Sequence, residues 1–343
     1  LSKDPFSLNN GILASAIAKK TNFILTEKDL ASWQTLRRTP ICKKYREYNI
    51  CGFPPPTSGG IGVIQILGIL EHLIGVNNQY SYLEKIHFFL EASRLAYLDR
   101  DMFVADPSFY DVPTKTLISS SYLKARSNLI KSKKANPDFT PGMPFQKNVS
   151  NLVKSKSENK SSTTHISIVD QYGNAAALTS SIEFAFGSGK IVNGFFLNNQ
   201  LTDFSFIGKD KKDKKLANAV EPKKKPRSSM SPTMIFKDNK LIGVIGSPGG
   251  SRIICYVAKI IFEIIENRKE VEDVLNLPNA CSRNRSTEIE NINKADIFSE
   301  KLAEYGHIIK RVEMTSGLNI IWRKEDYWIG SADPRREGVS IGK

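Results

Sequence analysis

The sequence is poor in the residues that build metal and redox centres. Its four cysteines, Cys42, Cys51, Cys255 and Cys281, include no C-x-x-C pair, and its four histidines, His72, His87, His165 and His307, are scattered. That excludes the spacing of a structural zinc site and of a dense disulfide framework. Cys255 stands in an apolar run and reads as a buried thiol. No metal site is expected. No apolar run approaches the ~20 residues that cross a bilayer, so no membrane span is expected. No charged-then-apolar signal segment precedes the folded part, and the first residue is Leu1, which reads as a processed product or a fragment.

Negative charge is also in short supply. Asp and Glu number 35 against 49 Lys and Arg, for a net charge of +14. A basic balance can serve a nucleic acid or an anionic surface. Here the lysines gather in loops, at Lys131–Lys134, Lys154–Lys160, Lys209–Lys215 and Lys223–Lys225, without the interleaved aromatics of a base-stacking surface. No nucleic-acid partner is expected. The 343 residues, 40% of them hydrophobic, suffice for a sizeable core in one large domain or two smaller ones.

Periodicity predicts short helices over Leu8–Ala18 and Lys28–Leu36, the second started by Thr26 as N-cap with Asp29 three residues on. A strand at Tyr48–Cys51 leads into Pro54-Pro55-Pro56-Thr57-Ser58-Gly59-Gly60, which cannot be regular structure. An apolar helix over Ile61–Leu73 and a long amphipathic one over Leu83–Asp101 follow. From Lys131 to Ser162 the pattern stops and Pro, Ser, Asn and Lys dominate, as in a mobile linker. Strands are then expected at Thr164–Asp170 and Ala175–Ser181, paired as a hairpin about Gln171–Asn174. Phe195–Leu197 reads as a short strand, and Met234–Phe236 with Leu241–Ile245 as a further hairpin. Helices at Arg252–Glu266 and Val271–Asn276 and strands at Ile308–Met314, Asn319–Arg323 and Tyr327–Ile329 close the chain. This order argues for a layered sandwich of helices and sheets, not a βαβ repeat.

Chemistry enters at Ser161-Ser162-Thr163-Thr164-His165. Alone, these residues read as a loop entering an edge strand. A hydroxyl residue at a flexible-to-strand junction is also a place where a chain can cut itself. Breaking the Ser162–Thr163 bond would give Thr163 a free α-amine beside its own hydroxyl, a base for a threonine nucleophile. Three downstream segments sharpen that reading: Asn198-Asn199-Gln200-Leu201-Thr202-Asp203, Arg227-Ser228-Ser229-Met230 and Ser247-Pro248-Gly249-Gly250-Ser251. Each alone passes for a turn or a polar loop. Together they offer a Gly-Gly pair whose N–H groups precede a helix, suited to an oxyanion. Gln200, Asp203, Ser228 and Ser229 add groups for the amine and carboxylate of an amino acid.

These motifs, with Glu91–Arg100 before them and Ala332-Asp333-Pro334-Arg335-Arg336-Glu337-Gly338 after, resemble the γ-glutamyltransferase (γ-glutamyltranspeptidase) family of N-terminal-nucleophile hydrolases over nearly the whole chain. The resemblance implies an α+β fold, a four-layer αββα sandwich. It also implies a precursor that cuts itself into large and small subunits. Residues 1–162, including a linker at about 131–162, would belong to the large-subunit region and 163–343 to the small catalytic one, the two forming one intertwined domain. Thr163 would cleave the precursor and then act as nucleophile, supported by Ser181, with Gly249 and Gly250 as oxyanion donors. Gln200 and Asp203 would bind the donor's α-amine, and Ser228 and Ser229 its α-carboxylate. No metal or organic cofactor is implied. The partners are a γ-glutamyl donor such as glutathione and water, an amino acid or a peptide as acceptor. Bacterial members imply a periplasmic or secreted location.

The chain departs from the family pattern in three places. Ser181 stands where a Thr is usual, and Glu183 where many members have an Asn that touches the substrate amine. Beyond Phe206 the stretch to Lys225 is Lys-rich and lacks aromatics, so the pocket is expected to be open, without a lid. The family's large subunit also continues upstream of Leu1, where an Arg binds the donor's carboxylate. Two alternatives therefore stand beside γ-glutamyl transfer: a cephalosporin- or glutaryl-acylase-like amide hydrolase, and an inactive fragment or remnant.

Overall fold

Apolar runs that are buried on every side set the architecture. The computed structural model describes residue 4 and residues 6–76, 78–145, 161–209, 216–283 and 285–342. Its helices are α1 (Ile12–Lys20), α2 (Glu27–Ala31), α3 (Gly59–Ile74), α4 (Tyr82–Phe103), α5 (Thr114–Leu117), α6 (Ser120–Ser127), α7 (Ile253–Ile265), α8 (Val271–Val274) and α9 (Asp296–Glu304). Its strands are β1 (Ile41–Tyr45), β2 (Tyr48–Gly52), β3 (Ser161–Val169), β4 (Ala175–Phe184), β5 (Ile191–Val192), β6 (Phe195–Phe196), β7 (Thr233–Lys237), β8 (Lys240–Gly246), β9 (Ala280–Ser282), β10 (Ser286–Glu290), β11 (Ile308–Val312), β12 (Asn319–Lys324) and β13 (Tyr327–Ala332). Every residue of α7 is buried, as is α3 from Gly59 to Leu70. Helices apolar all round belong inside a protein, and each buried Ile or Leu stabilises by about 1.5–3 kcal/mol.

The central sheet has six strands in the order β1-β2-β7-β8-β12-β13, with every neighbouring pair antiparallel. It draws β1 and β2 from before the 146–160 stretch and the other four strands from after it. Helices α3 and α7 pack on this sheet, with α4 behind α3, while the β3–β4 hairpin also lies on it. Strand β8 shows how one sheet serves both neighbours. Ile245 joins the helical core, whereas a side chain on the adjacent Gly246 would come within 2.1 Å of the His165 ring. Successive strand residues face opposite ways, so the hairpin lies on the face away from the helices. This layering is an α+β sandwich. A smaller sheet, β11-β10-β9, sits beside α4 and α9.

Local differences from the sequence expectations have identifiable causes. The Thr26 capping box forms, with Asp29 N donating to Thr26 Oγ1 at 3.2 Å and Thr26 N to Asp29 Oδ2 at 2.9 Å. The helix nevertheless ends at Ala31, not Leu36, where Ser32 Oγ donates to the Asp29 carbonyl at 2.8 Å. Strand β1 escaped notice because two lysines interrupt its five residues. It is joined to β2 by a Cys42–Cys51 disulfide across a directly opposed pair. Cys255 is not a thiol: it is bonded to Cys281 and ties α7 to β9.

Two buried polar clusters brace α4. Asp99 accepts from Gln65 Nε2 at 3.2 Å, Tyr122 Oη at 2.8 Å and Gly142 N at 2.7 Å, and pairs with Arg126 at 3.1 Å. Burial pushes its carboxyl upward, and Arg126 pulls it back. Further along, His87 Nε2 meets the Lys131 carbonyl at 2.8 Å. A carbonyl only accepts, so that nitrogen carries the proton and the neutral ring offers Nδ1 as acceptor. His307 Nε2 then donates to His87 Nδ1 at 2.8 Å, and Thr287 Oγ1 donates to His307 Nδ1 at 2.9 Å.

Candidate active site

Thr163 stands near the start of β3, directly opposite Ser181 on β4. The ladder is irregular between Ser161 and Thr163. Thr163 is buried, and its Oγ1 donates to Ser181 Oγ at 3.0 Å. The Glu183 amide donates to the same oxygen at 2.9 Å. Ser181 therefore receives two hydrogen bonds, so its own proton must point elsewhere.

Glu183 sits at φ 73°, a left-handed conformation that a non-glycine residue adopts at a cost of order 1–3 kcal/mol. The fold holds it there from both sides. Phe184 N donates to Asn199 Oδ1 at 2.9 Å, and Asn199 N to the Ile182 carbonyl at 3.2 Å. The Asn198-Asn199 turn then enters a 3-10 turn at Gln200–Asp203. With three residues per turn, positions i and i+3 eclipse, so Gln200 and Asp203 project side by side. Gln200 Nε2 donates to Asp203 Oδ2 and, at 3.4 Å, to Glu183 Oε2. Burial raises the Asp203 carboxyl above its ordinary range, against the pull of the Gln200 hydrogen bond, Arg100 and Arg227.

The opposing wall comes from the Ser228–Ser231 loop. The Pro-rich segment cradles it, although its last two residues, Gly59 and Gly60, are not irregular as expected but open α3. Ser58 N and Oγ both donate to the Ser228 carbonyl, at 2.8 and 2.7 Å, and Thr57 Oγ1 donates to the Met230 carbonyl at 2.7 Å. The approach is so close that a Cβ on Gly59 would lie 2.2 Å from the Met230 oxygen. Arg100, from α4, donates to Ser229 Oγ through Nη2 at 2.6 Å. Gly249 and Gly250 lie at φ 134° and 59° ahead of α7, and a side chain on Gly249 would strike the Tyr256 ring at 2.5 Å.

A narrow cleft opens between these walls. Of the residues singled out in the sequence, Thr163, Ser181, Glu183, Gln200, Asp203, Ser228, Ser229 and Gly250 line it, and Gly249 lies one residue behind. Arg100, Met230, Ser251 and Ile253 complete the lining. Arg100 was missed as a site residue. Its signal was an arginine on a helix whose neighbouring turns are apolar. The expected open pocket cannot be followed over the whole Lys-rich stretch, because residues 210–215 lie outside the described ones. Among the described residues, no three His, Cys, Asp or Glu side chains form a metal cluster, and no helix is long and apolar enough to cross a membrane. His165 lies behind Thr163 rather than in the cleft, hydrogen-bonded to Thr179 and Ser167 at 2.7 and 3.1 Å. Burial holds its pKa down to about 4, so it is neutral at pH 7.

The cleft is polarised. Glu183, Gln200 and Asp203 make one wall acidic, and Ser228, Ser229 and Arg100 give the other hydroxyls backed by a cation. A helix–sheet–hairpin sandwich with a threonine near the start of a strand on the inner layer has the build of an N-terminal-nucleophile hydrolase. The chain belongs to the gamma-glutamyltranspeptidase family, whose model matches residues 4–343. It is 36% identical over 293 residues to the glutathione hydrolase proenzyme of Escherichia coli strain K12, a match covering 80% of this chain and 47% of that protein. Against the glutathione hydrolase proenzyme of Bacillus subtilis strain 168 it is 34% identical over 329 residues, covering 93% of this chain and 55% of the relative. The chain thus spans about half the length of these relatives. In structure it is similar to a cephalosporin acylase from Bacillus halodurans, with a TM-score of 0.81 over 97% of this chain and 59% of that one. At 24% identity that likeness is one of fold.

Proposed function

We propose that the chain carries the nucleophile and donor pocket of an enzyme that moves γ-glutamyl groups from glutathione-like donors to water, amino acids or peptides. The observation that carries this reading is the polarised cleft beside Thr163. An α-amino acid head group is a zwitterion, and the cleft offers carboxylates to its ammonium and hydroxyls with a nearby guanidinium to its carboxylate.

The first step is self-cleavage. Thr163 Oγ attacks the Ser162 carbonyl carbon, the peptide C–N bond breaks, and an ester forms while the nitrogen becomes the α-amine of Thr163. Water hydrolyses the ester and leaves a Ser162 carboxylate. In turnover the Thr163 hydroxyl gives its proton to that amine and attacks the γ-carbonyl. The departing amine takes the proton, and water or an acceptor amine releases the γ-glutamyl group from the threonine ester. Gly249 and Gly250 would face the oxyanion, where one amide donor is worth about 3–4 kcal/mol. The two cysteine pairs support a periplasmic or secreted location, since disulfides persist in oxidising compartments.

Glu183 in place of Asn supports a second reading, release of a glutaryl or similar acyl group. Intact-mass analysis of the parent protein and its Thr163→Ala variant tests the nucleophile. Cleavage before Thr163 is expected in the wild type alone, and cleavage in the variant would refute the assignment. Turnover of γ-glutamyl and glutaryl anilides then separates the two readings; faster glutaryl release would reject the transferase.

A further inference from the structure

Among the described residues, Arg100 is the one in the cleft wall that brings a full positive charge, and its hydrogen bonds are oriented in a way that serves an anion. It is 9% exposed. Its Nε donates to Ser58 Oγ at 2.8 Å, Nη1 to Asp101 Oδ1 at 2.6 Å and Nη2 to Ser229 Oγ at 2.6 Å. A guanidinium has no acceptor, so each hydroxyl it touches must turn its own proton away. Ser58 sends its proton to the Ser228 carbonyl. Ser229 Oγ has no such acceptor among the described residues, and Ser229 lines the cleft.

Asp101 is shared, because Arg227 Nη2 also reaches its Oδ1 at 3.2 Å. Asp203, across the cleft, also feels both Arg100 and Arg227. A hydroxyl alone is a neutral donor and a weak host for a carboxylate in a largely buried site. A hydroxyl polarised by a guanidinium makes a charge-assisted bond, roughly twice as strong.

We propose that Arg100 acts as a positioning residue for the carboxylate of the substrate's amino-acid head group, working through Ser229 by fixing its hydroxyl as a donor into the cleft. This rests on the γ-glutamyl reading above and names the residue within this chain that recognises the acid. Arg100 lines the cleft beside the serine, but its Nη2 is committed to Ser229 Oγ, and the ligand meets its charge through that O–H.

The test is calorimetric binding of L-glutamate and of 4-aminobutyrate, which keeps the ammonium and the distal carboxylate but lacks the α-carboxylate. It uses the wild-type protein, Arg100→Met, Arg100→Lys, Ser229→Ala and the Arg100→Met/Ser229→Ala double variant. The wild type should prefer L-glutamate by at least about tenfold, the scale of one charge-assisted bond. Arg100→Met and Ser229→Ala should each reduce that preference to within about threefold and leave 4-aminobutyrate binding within about twofold. The double variant should lose no more than either single one, because both remove the same bond. Equal weakening of both ligands by Arg100→Met, or additive losses in the double variant, would overturn the proposal and leave Arg100 a structural residue. Should Arg100→Met fail to fold, Ser229→Ala and Arg100→Lys decide, and unchanged preference in both refutes it. A wild type that binds both ligands equally sinks this inference alone. A wild type that binds neither sinks the γ-glutamyl reading with it.

Discussion

Acid should destabilise this protein through its buried histidines, and His307 is the place to measure it. Burial, then His87 and Arg94, hold the His307 pKa down to about 3 from an ordinary 6.5, and burial alone holds His165 at about 4. A histidine depressed in the folded state binds fewer protons than in the unfolded one. The stability it contributes is intact above pH 6.5 and is lost as pH falls toward the folded value. Each pH unit in that window costs about 1.4 kcal/mol per group, so at pH 4.5 the two together cost roughly 5 kcal/mol. The raised carboxyls of Asp99, Glu91 and Glu263 act the other way, because burial makes the native state take up their protons first. A variant comparison removes that opposing effect. In His307→Gln an amide can still donate to His87 and accept from Thr287, but it cannot be protonated. Urea unfolding at pH 7.5 and 4.5 should show the variant gaining about 2–3 kcal/mol on the wild type as the pH drops. A gap that stays constant between the two pH values would refute the reasoning.

Three further outcomes are expected. Ser181→Ala removes the oxygen that both Thr163 Oγ1 and the Glu183 amide address, so self-cleavage followed by intact mass should slow at least tenfold, and Ser181→Thr should restore it. Glu183→Asn puts a residue tolerant of positive φ at 73°, so the denaturation midpoint should rise by an amount worth about 0.5–1 kcal/mol; a fall would mean the site is not strained. Cys281→Ala opens the link that closes 26 residues of sequence between α7 and β9, and should cost about 2–4 kcal/mol in denaturant titrations under oxidising conditions, with no effect once the wild type is reduced.

The legible parts of the sequence were those governed by local rules. The alternation of Thr164–Asp170 about a Gln171–Asn174 turn specified the hairpin, and the Ile61–Leu73 run specified a buried helix. The site residues came from segments whose order resembles a known family, not from periodicity. What stayed hidden depends on contacts distant in sequence. Arg100 gains its meaning only where α4 passes the Ser228–Ser231 loop, 129 residues away from its Ser229 partner. Cys255 in an apolar run looks the same as a thiol or as half of a disulfide until β9 is brought beside α7. Glu183 lies two residues beyond the strand expected at Ala175–Ser181, and its positive φ is set only where the Asn198-Asn199 turn meets it.

The central sheet has a consequence for any break in the backbone between residues 145 and 161. Strand β2 would lie on one polypeptide and its neighbour β7 on the other, joined along Asn49–Gly52 and Thr233–Phe236. The seam runs through the middle of the sheet, so the two pieces cannot part as finished bodies. Their separation and their unfolding would be one event. Before such a break, melting is unimolecular and indifferent to dilution. Afterwards it would obey mass action, and the midpoint would climb with protein concentration.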